Sequence, residues 1–151
     1  MTLVVYSSRI PASPEELFEF HMDANNLIAI SPRIAPMRIL SETKRAEVGD
    51  LQVMRVGPEP FASAWHARIT RIVPGRMMED GQERGPFRKW RHQHRVSPQG
   101  DGARLTDAVS FRMLPTPVGE FLEYWMIRPV LLGMFAYRHR KTRALLAHSK
   151  A

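Results

Sequence analysis

Hydrophobic positions along the chain recur with two different periods, and each period predicts a different kind of element. In residues 3–8, apolar and polar positions alternate among β-branched and aromatic residues, which predicts a β-strand. Ser13 and Glu16 then have the spacing of a capping box, so a helix is predicted to begin there. A second, shorter helix is predicted over residues 25–30, with Asp23 as its N-cap.

From residue 37 the pattern has a period of two and is cut by short turns that contain glycine and proline. Strands are predicted over residues 37–45, 50–56, 61–73, 77–84, 87–97 and 104–113. Connections this short join neighbouring strands as hairpins, so the predicted sheet is an antiparallel meander.

The final stretch, residues 118–148, is predicted to be one long helix. Thr116 is its predicted N-cap and Pro117 its first residue, where the missing N–H of proline costs nothing. The first half is apolar on nearly every side, so it is expected to be buried around most of its circumference. Glu123 and Pro129 interrupt the apolar run, which favours a helix enclosed by protein over a membrane span. One strand, two helices, six strands and a helix are typical of an α+β fold with its helices on one face of an antiparallel sheet.

Length and composition are those of one globular domain. The 151 residues are expected to form a single domain over positions 1–151, and 44% hydrophobic with 25% charged residues excludes disorder of the whole chain. The absence of cysteine excludes a disulfide framework and thiolate chemistry. The first residues lack the basic and long apolar segments of a signal peptide, so a cytoplasmic location is expected.

The formal net charge of +7 has two explanations. It could serve an acidic partner, such as nucleic acid or an anionic membrane, or it could keep the protein soluble. Solubility is the favoured interpretation because no low-complexity basic tail is present. No nucleic-acid partner is expected, since Trp90 and the arginines of strand 87–97 lie on opposite faces, unlike the residues of a base-stacking platform.

Residues with acid–base chemistry gather on one face of the predicted sheet. On strand 87–97, Trp90, His92 and His94 share the parity opposite to a charged set that faces solvent. On strand 104–113, Asp107 is the one charged residue of the apolar parity. If the loop between these strands closes symmetrically, His94 lies opposite Asp107 and His92 opposite Val109, with Cβ atoms about 5 Å apart.

The preceding turn extends this cluster to a third strand. A three-residue turn at positions 85–87 would place Asp80 opposite His92 and Gln82 opposite Trp90. Two interpretations of the cluster stay open. Because a buried carboxylate is costly unless paired, Asp107–His94 and Asp80–His92 could be satisfied polar pairs that fix the strand register. Alternatively, the cluster lines a cavity and orients the carbonyl or hydroxyl of a ligand, with one histidine as a general base in a catalytic version.

The order of elements and one run of residues resemble a known superfamily. The run is Asp80-x-Gln82-x-x-Gly85-Pro86-Phe87-x-x-Trp90-x-His92-x-His94, followed by Thr106-Asp107-x-Val109. It resembles a bacterial branch of the SRPBCC superfamily, which includes START domains and the birch-pollen allergen, and the similarity covers essentially the whole chain. The resemblance implies a helix-grip fold, in which a curved seven-stranded antiparallel sheet grips the C-terminal helix around an internal cavity. It implies no single chemistry, because the superfamily includes lipid carriers, hormone receptors and polyketide cyclases.

The favoured function is binding of a hydrophobic or amphipathic small molecule, such as a lipid, a polyketide or an aromatic compound, in that cavity. The predicted ligand-binding residues are Asp80, Gln82, Trp90, His92, His94 and Asp107, with Trp65, Phe111, Trp125 and Phe135 as further lining. No cofactor is expected. Two imidazoles and a carboxylate could bind a metal, but the cupin spacing places Pro86 where a glycine is needed, so no metal is expected either.

Two alternatives accompany this hypothesis. The first is a polyketide cyclase/dehydrase-like enzyme, for which His94, Asp107 and His92 are the candidate catalytic residues. The second is a lipid carrier or adaptor whose basic helix end, from Arg138 to Arg143, makes weak contact with an anionic membrane surface. The sequence does not indicate an oligomeric state.

Overall fold

A computed structural model, which describes residues 1–148, consists of a curved antiparallel sheet with helices on one face. The last positions of the predicted domain 1–151 lie outside the described residues. The strands are β1 (Thr2–Ile10), β2 (Met37–Ile39), β3 (Leu51–Val56), β4 (Ser63–Val73), β5 (Met77–Arg84), β6 (Lys89–Gln99) and β7 (Gly102–Arg112). The helices are α1 (Pro14–Met22), α2 (Ala24–Ile30), α3 (Pro117–Leu122) and α4 (Arg128–His148), and a π-helical turn (Glu123–Ile127) joins the last two.

Within residues 1–148, seven strands lie in the order β1-β7-β6-β5-β4-β3-β2, and all neighbours are antiparallel. β1 pairs with β7, so the first strand extends the sheet beyond the six-stranded meander. Register shifts between β4 and β5, at His66/Ala67 and at Ile69/Arg71, are the kind of irregularity that bends a strand. The predicted α+β class and helix-grip architecture are confirmed.

The helix starts follow the capping residues of the sequence. The Ser13 side chain accepts a hydrogen bond from the backbone N–H of Glu16, and Thr116 accepts one from Gly119, both at 3.1 Å. Asp23 accepts from the N–H of Asn25 at 2.9 Å. Each cap satisfies a backbone donor that the first helical turn leaves without a partner. All three predicted N-caps are therefore confirmed.

The strand boundaries differ from the prediction at β2 and at the β6–β7 hairpin. The predicted strand 37–45 is cut to Met37–Ile39, because the chain leaves the sheet at Ser41, where the side-chain hydroxyl accepts from the N–H of Val53. The β6–β7 pairing continues instead to Gln99 and Gly102, which leaves a two-residue turn. Gly100 takes a φ of 58° in that turn, a conformation that costs glycine little.

The last helix is not continuous, and the interruption lies just before Pro129. Proline has no N–H to donate and its ring crowds the carbonyl four residues earlier, so a regular α-helix cannot pass through it unchanged. The N–H of Arg128 donates to the carbonyl of Glu123, five residues back, and the helix widens into its π-helical turn.

The first half of this helix is mostly exposed, and the prediction that it is buried around most of its circumference is wrong. Its exposed side chains are Val118, Phe121, Leu122, Tyr124, Trp125, Met126 and Val130. Trp125 is 63% exposed, whereas Leu131 and Phe135 in α4 are buried. Apolar side chains of the helix therefore become fully buried only where α4 packs against β1 and α2. Within residues 1–148, no helix is both long enough and apolar enough to cross a membrane.

The apolar core occupies the layer between the sheet and the helices. Among the described residues, one cluster includes Leu17 and Met22 of α1 with Leu105 of β7. A second includes Phe111 of β7 and Phe135 of α4. Alternate strand positions point away from this layer and carry the charged side chains, as the parity of β6 predicts.

Candidate functional site

A hollow opens between the sheet and helices α1, α2 and α4. Its volume is about 150 Å³, which is room for on the order of ten water molecules. Its apolar lining includes Leu27, Met37, Met54, Trp65, Ala67, Trp90, Leu131 and Met134. Apolar walls with a few convergent polar groups are typical of a site for a small molecule.

Five polar side chains meet in one part of the hollow, and we call them the polar cluster. They are His21, Asp80, His92, His94 and Arg138. The sheet contributes three of them from neighbouring strands, while α1 and α4 contribute one each. The hollow therefore combines apolar walls with groups that can donate, accept or carry a proton.

The strand register that positions this cluster agrees with the prediction. His94 lies opposite Asp107, and His92 opposite Val109. Asp80 lies opposite His92, as the turn at 85–87 indicated. The side chains, however, do not all pair with the residue directly across, because diagonal neighbours are also within reach of long side chains.

Asp107 is the hub behind the polar cluster. Among the described residues, three histidines approach its carboxylate, which is 3% exposed. His92 Nε2 lies 2.8 Å from Oδ1, and His139 Nε2 lies 2.6 Å from Oδ2. His94 Nδ1 is 2.7 Å from Oδ1, but its angle is not that of a hydrogen bond and the nitrogen has no other partner.

These contacts determine the charge on Asp107. Burial acts to raise its pKa, but the charge of His94 and the hydrogen bonds from His139 and His92 hold the pKa well below its usual range. Asp107 is therefore an ionised carboxylate, and the facing nitrogens of His92 and His139 must be N–H donors. The opposite nitrogen of His139, Nδ1, lies 2.6 Å from the Ser8 hydroxyl, which completes its hydrogen bonding.

Asp80 and His94 form a titratable pair within the polar cluster, with side chains that are 14% and 13% exposed. Asp80 Oδ2 lies 3.9 Å from His94 Nε2, so the nearest imidazole to Asp80 is that of its diagonal neighbour and not the predicted partner His92. Burial raises the pKa of Asp80 to about 6, against the opposing charge of His94. A carboxyl with this pKa exists in both protonation states near neutral pH.

His21 is held neutral beside them. Burial and the neighbouring charge of His94 lower its pKa to about 4. Its Nδ1 lies 3.0 Å from the carbonyl oxygen of Leu17, so Nδ1 carries the proton and donates it. Nε2 is then a lone-pair acceptor on the ring that stands 5.4 Å from the ring of His94.

Arg138 brings a positive charge to the same cluster. Burial lowers the pKa of its guanidinium, while the negative charges of Asp107 and Asp80 act in the opposite direction. An arginine nonetheless stays protonated in a protein. Its Nε is buried and has no hydrogen-bond partner among the described residues.

Asp80, His92 and His94 could also hold a metal ion. One ligand atom from each lies within 4.8 Å of the other two. Both imidazoles direct a nitrogen at Asp107, which is how a carboxylate orients metal-bound histidines. The charge of Arg138 works against a cation there, because like charges repel. That no metal binds stays a prediction.

The structure divides the predicted site residues into three groups. Those that line the hollow are Trp65, Asp80, Trp90, His92 and His94. Those that lie behind its walls are Asp107, Phe111 and Phe135, and the ring of Phe135 packs 5.3 Å from that of His92. The last two, Gln82 and Trp125, neither line the hollow nor lie behind its walls.

Gln82 and Trp125 have other surroundings for identifiable reasons. The amide of Gln82 bonds the backbone of Phe87 through both its nitrogen, at 2.5 Å, and its oxygen, at 3.3 Å, and so holds the turn at Gly85. Trp125 belongs to the exposed π-helical turn, where hydrophobicity does not imply burial. The prediction that Trp125 lines the cavity is wrong.

Sequence reasoning missed His21, Arg138 and His139 as members of the site. His21 falls in the helix predicted to begin near Ser13, and Arg138 in the basic helix end, and neither assignment places the side chain in the hollow. His139 is 32 residues from Asp107 in the chain. A signal was available for the helix, because Leu131, Phe135, Arg138 and His139 recur at spacings of three and four and so share one face.

The fold and the hollow together define a class of protein, a helix-grip domain with an internal cavity. The chain belongs to the family described as polyketide cyclase / dehydrase and lipid transport, which matches residues 10–135. No curated protein is similar enough to the chain to count as a match.

Solved structures show the same fold at low sequence identity. A protein from Chromobacterium violaceum is 18% identical, with 96% of this chain and 97% of that chain covered and a TM-score of 0.73. A protein from Rhodobacter sphaeroides is 19% identical, with 97% and 93% covered and a TM-score of 0.75. Ara h 8.0201, a Bet v 1-type allergen, is 13% identical, with 93% and 97% covered and a TM-score of 0.66. At such identities the likeness concerns the fold alone.

Proposed function

We propose that the protein binds a hydrophobic or amphipathic small molecule in the hollow between the sheet and the C-terminal helix. The observation that carries this proposal is the combination of apolar walls with a polar cluster in one part of the hollow. The methionines of the wall, Met37, Met54 and Met134, can adapt their shape to different apolar groups. The polar cluster would set the orientation of the ligand.

A cavity-filling variant tests this proposal. Ala67 is 3% exposed and lines the hollow, so Ala67→Phe places a ring in the space that the ligand needs. Ala64→Phe, on the opposite face of β4, is the matched control. Native mass spectrometry of the purified protein should show a bound compound in the wild type and in Ala64→Phe, and much less of it in Ala67→Phe.

Tryptophan fluorescence provides a second measurement of the same event. The chain has three tryptophans, and Trp65 and Trp90 line the hollow with ring centroids 5.0 Å apart. Replacing the exposed Trp125 with phenylalanine removes the background signal. An aromatic or aliphatic probe should then change the emission of the two remaining tryptophans, and Ala67→Phe should abolish the change. Equal binding of the probe to Ala67→Phe and Ala64→Phe would contradict the proposed site.

An enzyme of the cyclase or dehydrase type is a second candidate, favoured by the pair Asp80 and His94. They lie 3.9 Å apart inside the hollow, and the carboxyl has a pKa of about 6. Such a pair suits proton transfer next to a carbonyl near neutral pH. Asp107, behind the wall, would hold His92 and His94 in place. In this case a compound bound to the purified protein should change mass on incubation, and Asp80→Asn should stop the change while the compound stays bound. A constant mass with the wild type contradicts the enzymatic candidate and leaves binding.

Contact with an anionic membrane is a third candidate, favoured by the exposed apolar side chains of α3 and the π-helical turn. Phe121, Tyr124 and Trp125 are each at least half exposed, in a chain with a net charge of +7. Exposed aromatic residues insert at the headgroup level of membranes, and positive charge draws a protein to acidic lipids. The predicted basic cluster is not one surface, because Arg138 lines the hollow and the Arg143 Nε donates to the carbonyl of Arg9.

Vesicle sedimentation tests this third candidate. The protein should bind vesicles that contain phosphatidylserine and not those of phosphatidylcholine alone. Trp125→Ser should weaken binding, whereas Phe61→Ser, which removes another exposed aromatic residue, should not. If light scattering instead finds a dimer that Trp125→Ser disperses, the surface contacts a second copy and the membrane candidate is wrong.

A further inference from the structure

Arg138 lines the hollow, but its guanidinium has no partner among the described residues around it. Among residues 1–148, no carboxylate lies within 4.0 Å of its guanidinium nitrogens, and its side chain has no hydrogen-bond partner. Its Nε is completely shielded. The residue as a whole is half-buried, and a cation that is partly withdrawn from water without a partner carries a desolvation cost that no contact offsets.

The two nearby carboxylates do not serve as its partners. Asp107 already receives His92 and His139 at 2.8 Å and 2.6 Å, and both of its oxygens are engaged. Asp80 does not come within 4.0 Å of the guanidinium nitrogens, so it attracts Arg138 only at longer range, and burial raises the pKa of Asp80 to about 6. Arg138 thus presents a charged, planar donor to the hollow, a group suited to binding two oxygens of an acid at once.

We infer that the ligand of the hollow carries a carboxylate, which pairs with the guanidinium of Arg138, while its apolar part lies against Trp65, Trp90 and Met54. This inference rests on the proposed ligand binding and specifies its chemical class. Both aliphatic and aromatic acids have this chemistry.

The rest of the polar cluster is compatible with an acid at this place. A second carboxylate near Asp80 favours the protonated form of Asp80, since like charges disfavour each other. Protonated Asp80 is a hydrogen-bond donor that lines the hollow. The acid would then be held by Arg138 and by protonated Asp80, without a second ionised carboxylate opposing it.

Paired probes that differ only in the acid group test the inference. One pair is decanoic acid and decanol, and the other is 2-naphthoic acid and 2-naphthol, all at pH 7.5 on the full chain. Binding is measured by the emission of Trp65 and Trp90 in the Trp125→Phe background. For at least one pair, the wild type should bind the acid about tenfold to a hundredfold more tightly than the alcohol, the preference expected of a charge-assisted contact. The pair that shows this preference distinguishes a lipid-like from an aromatic ligand.

The variants Arg138→Gln and Arg138→Met should remove the preference and leave the affinity for the alcohol within about threefold, because the apolar walls are unchanged. The control is Arg140→Gln, since Arg140 is exposed and lies over the ring of Tyr137 at 5.3 Å. It should bind as the wild type does. Because the Arg138 side chain makes no hydrogen bond or ion pair with residues 1–148, both variants should fold, and thermal melts check that they do.

The outcomes separate this inference from the proposed function. If the acids and alcohols bind equally, or if Arg138→Gln retains the preference, the inference is overturned while the proposed binding stands. If no probe of either pair binds, both are overturned. A preference for the acid that both Arg138 variants lose supports both.

Discussion

His139 on α4 and Asp107 on β7 lie 2.6 Å apart, from Nε2 to Oδ2, and this contact joins the C-terminal helix directly to the sheet. The same carboxylate also holds His92 at 2.8 Å, on a wall of the hollow. Asp107 therefore connects the packing of the helix with the orientation of a residue that faces the ligand. Its removal should affect both.

Asp107→Asn is predicted to destabilise the fold. The asparagine amide keeps one acceptor oxygen but directs its N–H₂ at a histidine N–H, so two donors face each other in a buried place. The free energy of unfolding should fall by about 2–4 kcal/mol, the usual result of breaking a buried charged network. Urea denaturation measures it. Asp101→Asn, at a side chain that is 94% exposed, should change stability by less than about 1 kcal/mol. Equal effects of the two variants would show that Asp107 does not act as a hub.

Asp80 and His21 should give the protein opposite pH dependences that largely cancel. The pKa of Asp80 is raised from 3.8 to about 6, so the folded state binds the proton more tightly and stability falls as pH rises from about 4 to 6. The pKa of His21 is lowered from 6.5 to about 4, so the unfolded state binds the proton more tightly and stability rises over nearly the same interval. Each effect is at most about 3 kcal/mol.

Single variants should reveal these two slopes. Urea denaturation of Asp80→Asn between pH 4.5 and 7 should show stability that rises with pH more steeply than in the wild type. His21→Gln should show stability that falls with pH instead. Asp101→Asn, which removes an exposed carboxyl, should follow the wild type. Parallel profiles for all four proteins would contradict the assigned directions.

The agreement between predicted and observed register has a local cause. His94 lies opposite Asp107 because the β6–β7 hairpin closes symmetrically around a two-residue turn, and such a turn transmits its register along both strands. Parity then decides which side chains face the helices. Short-range geometry was enough to bring His92, His94, Asp80 and Asp107 together.

The contributions of the helices could not be obtained in the same way. Which face of α4 meets the sheet depends on its rotation about its own axis, and that is set by packing against β1 and α2. The sequence therefore assigns Arg138 to a basic surface and His139 to no site. Trp125 shows the opposite error, since the sequence predicts burial and the side chain is exposed. An apolar run leads to burial only if another element covers it. The sequence predicts one long helix over residues 118–148, and Pro129 alone does not reveal that the helix widens into a π-helical turn before it.

Glu123→Gln is predicted to loosen the junction between the last helix and the sheet. Glu123 is fully buried, and its carboxylate accepts from the Thr2 hydroxyl at 2.7 Å and from the N–H of Met113 at 2.6 Å. Although burial acts to raise its pKa, these hydrogen bonds and Arg112 lower it, so the group is ionised. The neutral amide should cost about 1–3 kcal/mol, measured by urea denaturation.

The matched control for this junction is Glu120→Gln. Glu120 also pairs with Arg112, at 3.0 Å, but its side chain is 59% exposed. Its loss should change the free energy of unfolding by less than about 1 kcal/mol. A larger effect at Glu120 than at Glu123 would mean that the ion pair with Arg112, and not the buried hydrogen bonds, stabilises the junction.

Two glycines of the C-terminal helices should respond to alanine in opposite directions. At Gly119, a Cβ would lie 2.4 Å from the carbonyl oxygen of Leu114, a backbone atom that cannot move aside easily. Gly119→Ala should therefore destabilise the fold by about 1–3 kcal/mol, as overpacking does. At Gly133, in the exposed part of α4, a Cβ would meet no atom within 4 Å apart from the helix's own backbone. Gly133→Ala should therefore stabilise the fold by about 0.5–1 kcal/mol through helix propensity. Thermal or urea denaturation of both variants measures the difference. If both variants were stabilised, the start of α3 would not pack closely against Leu114. The exposed aromatic side chains that follow it would then lie elsewhere than in the structure.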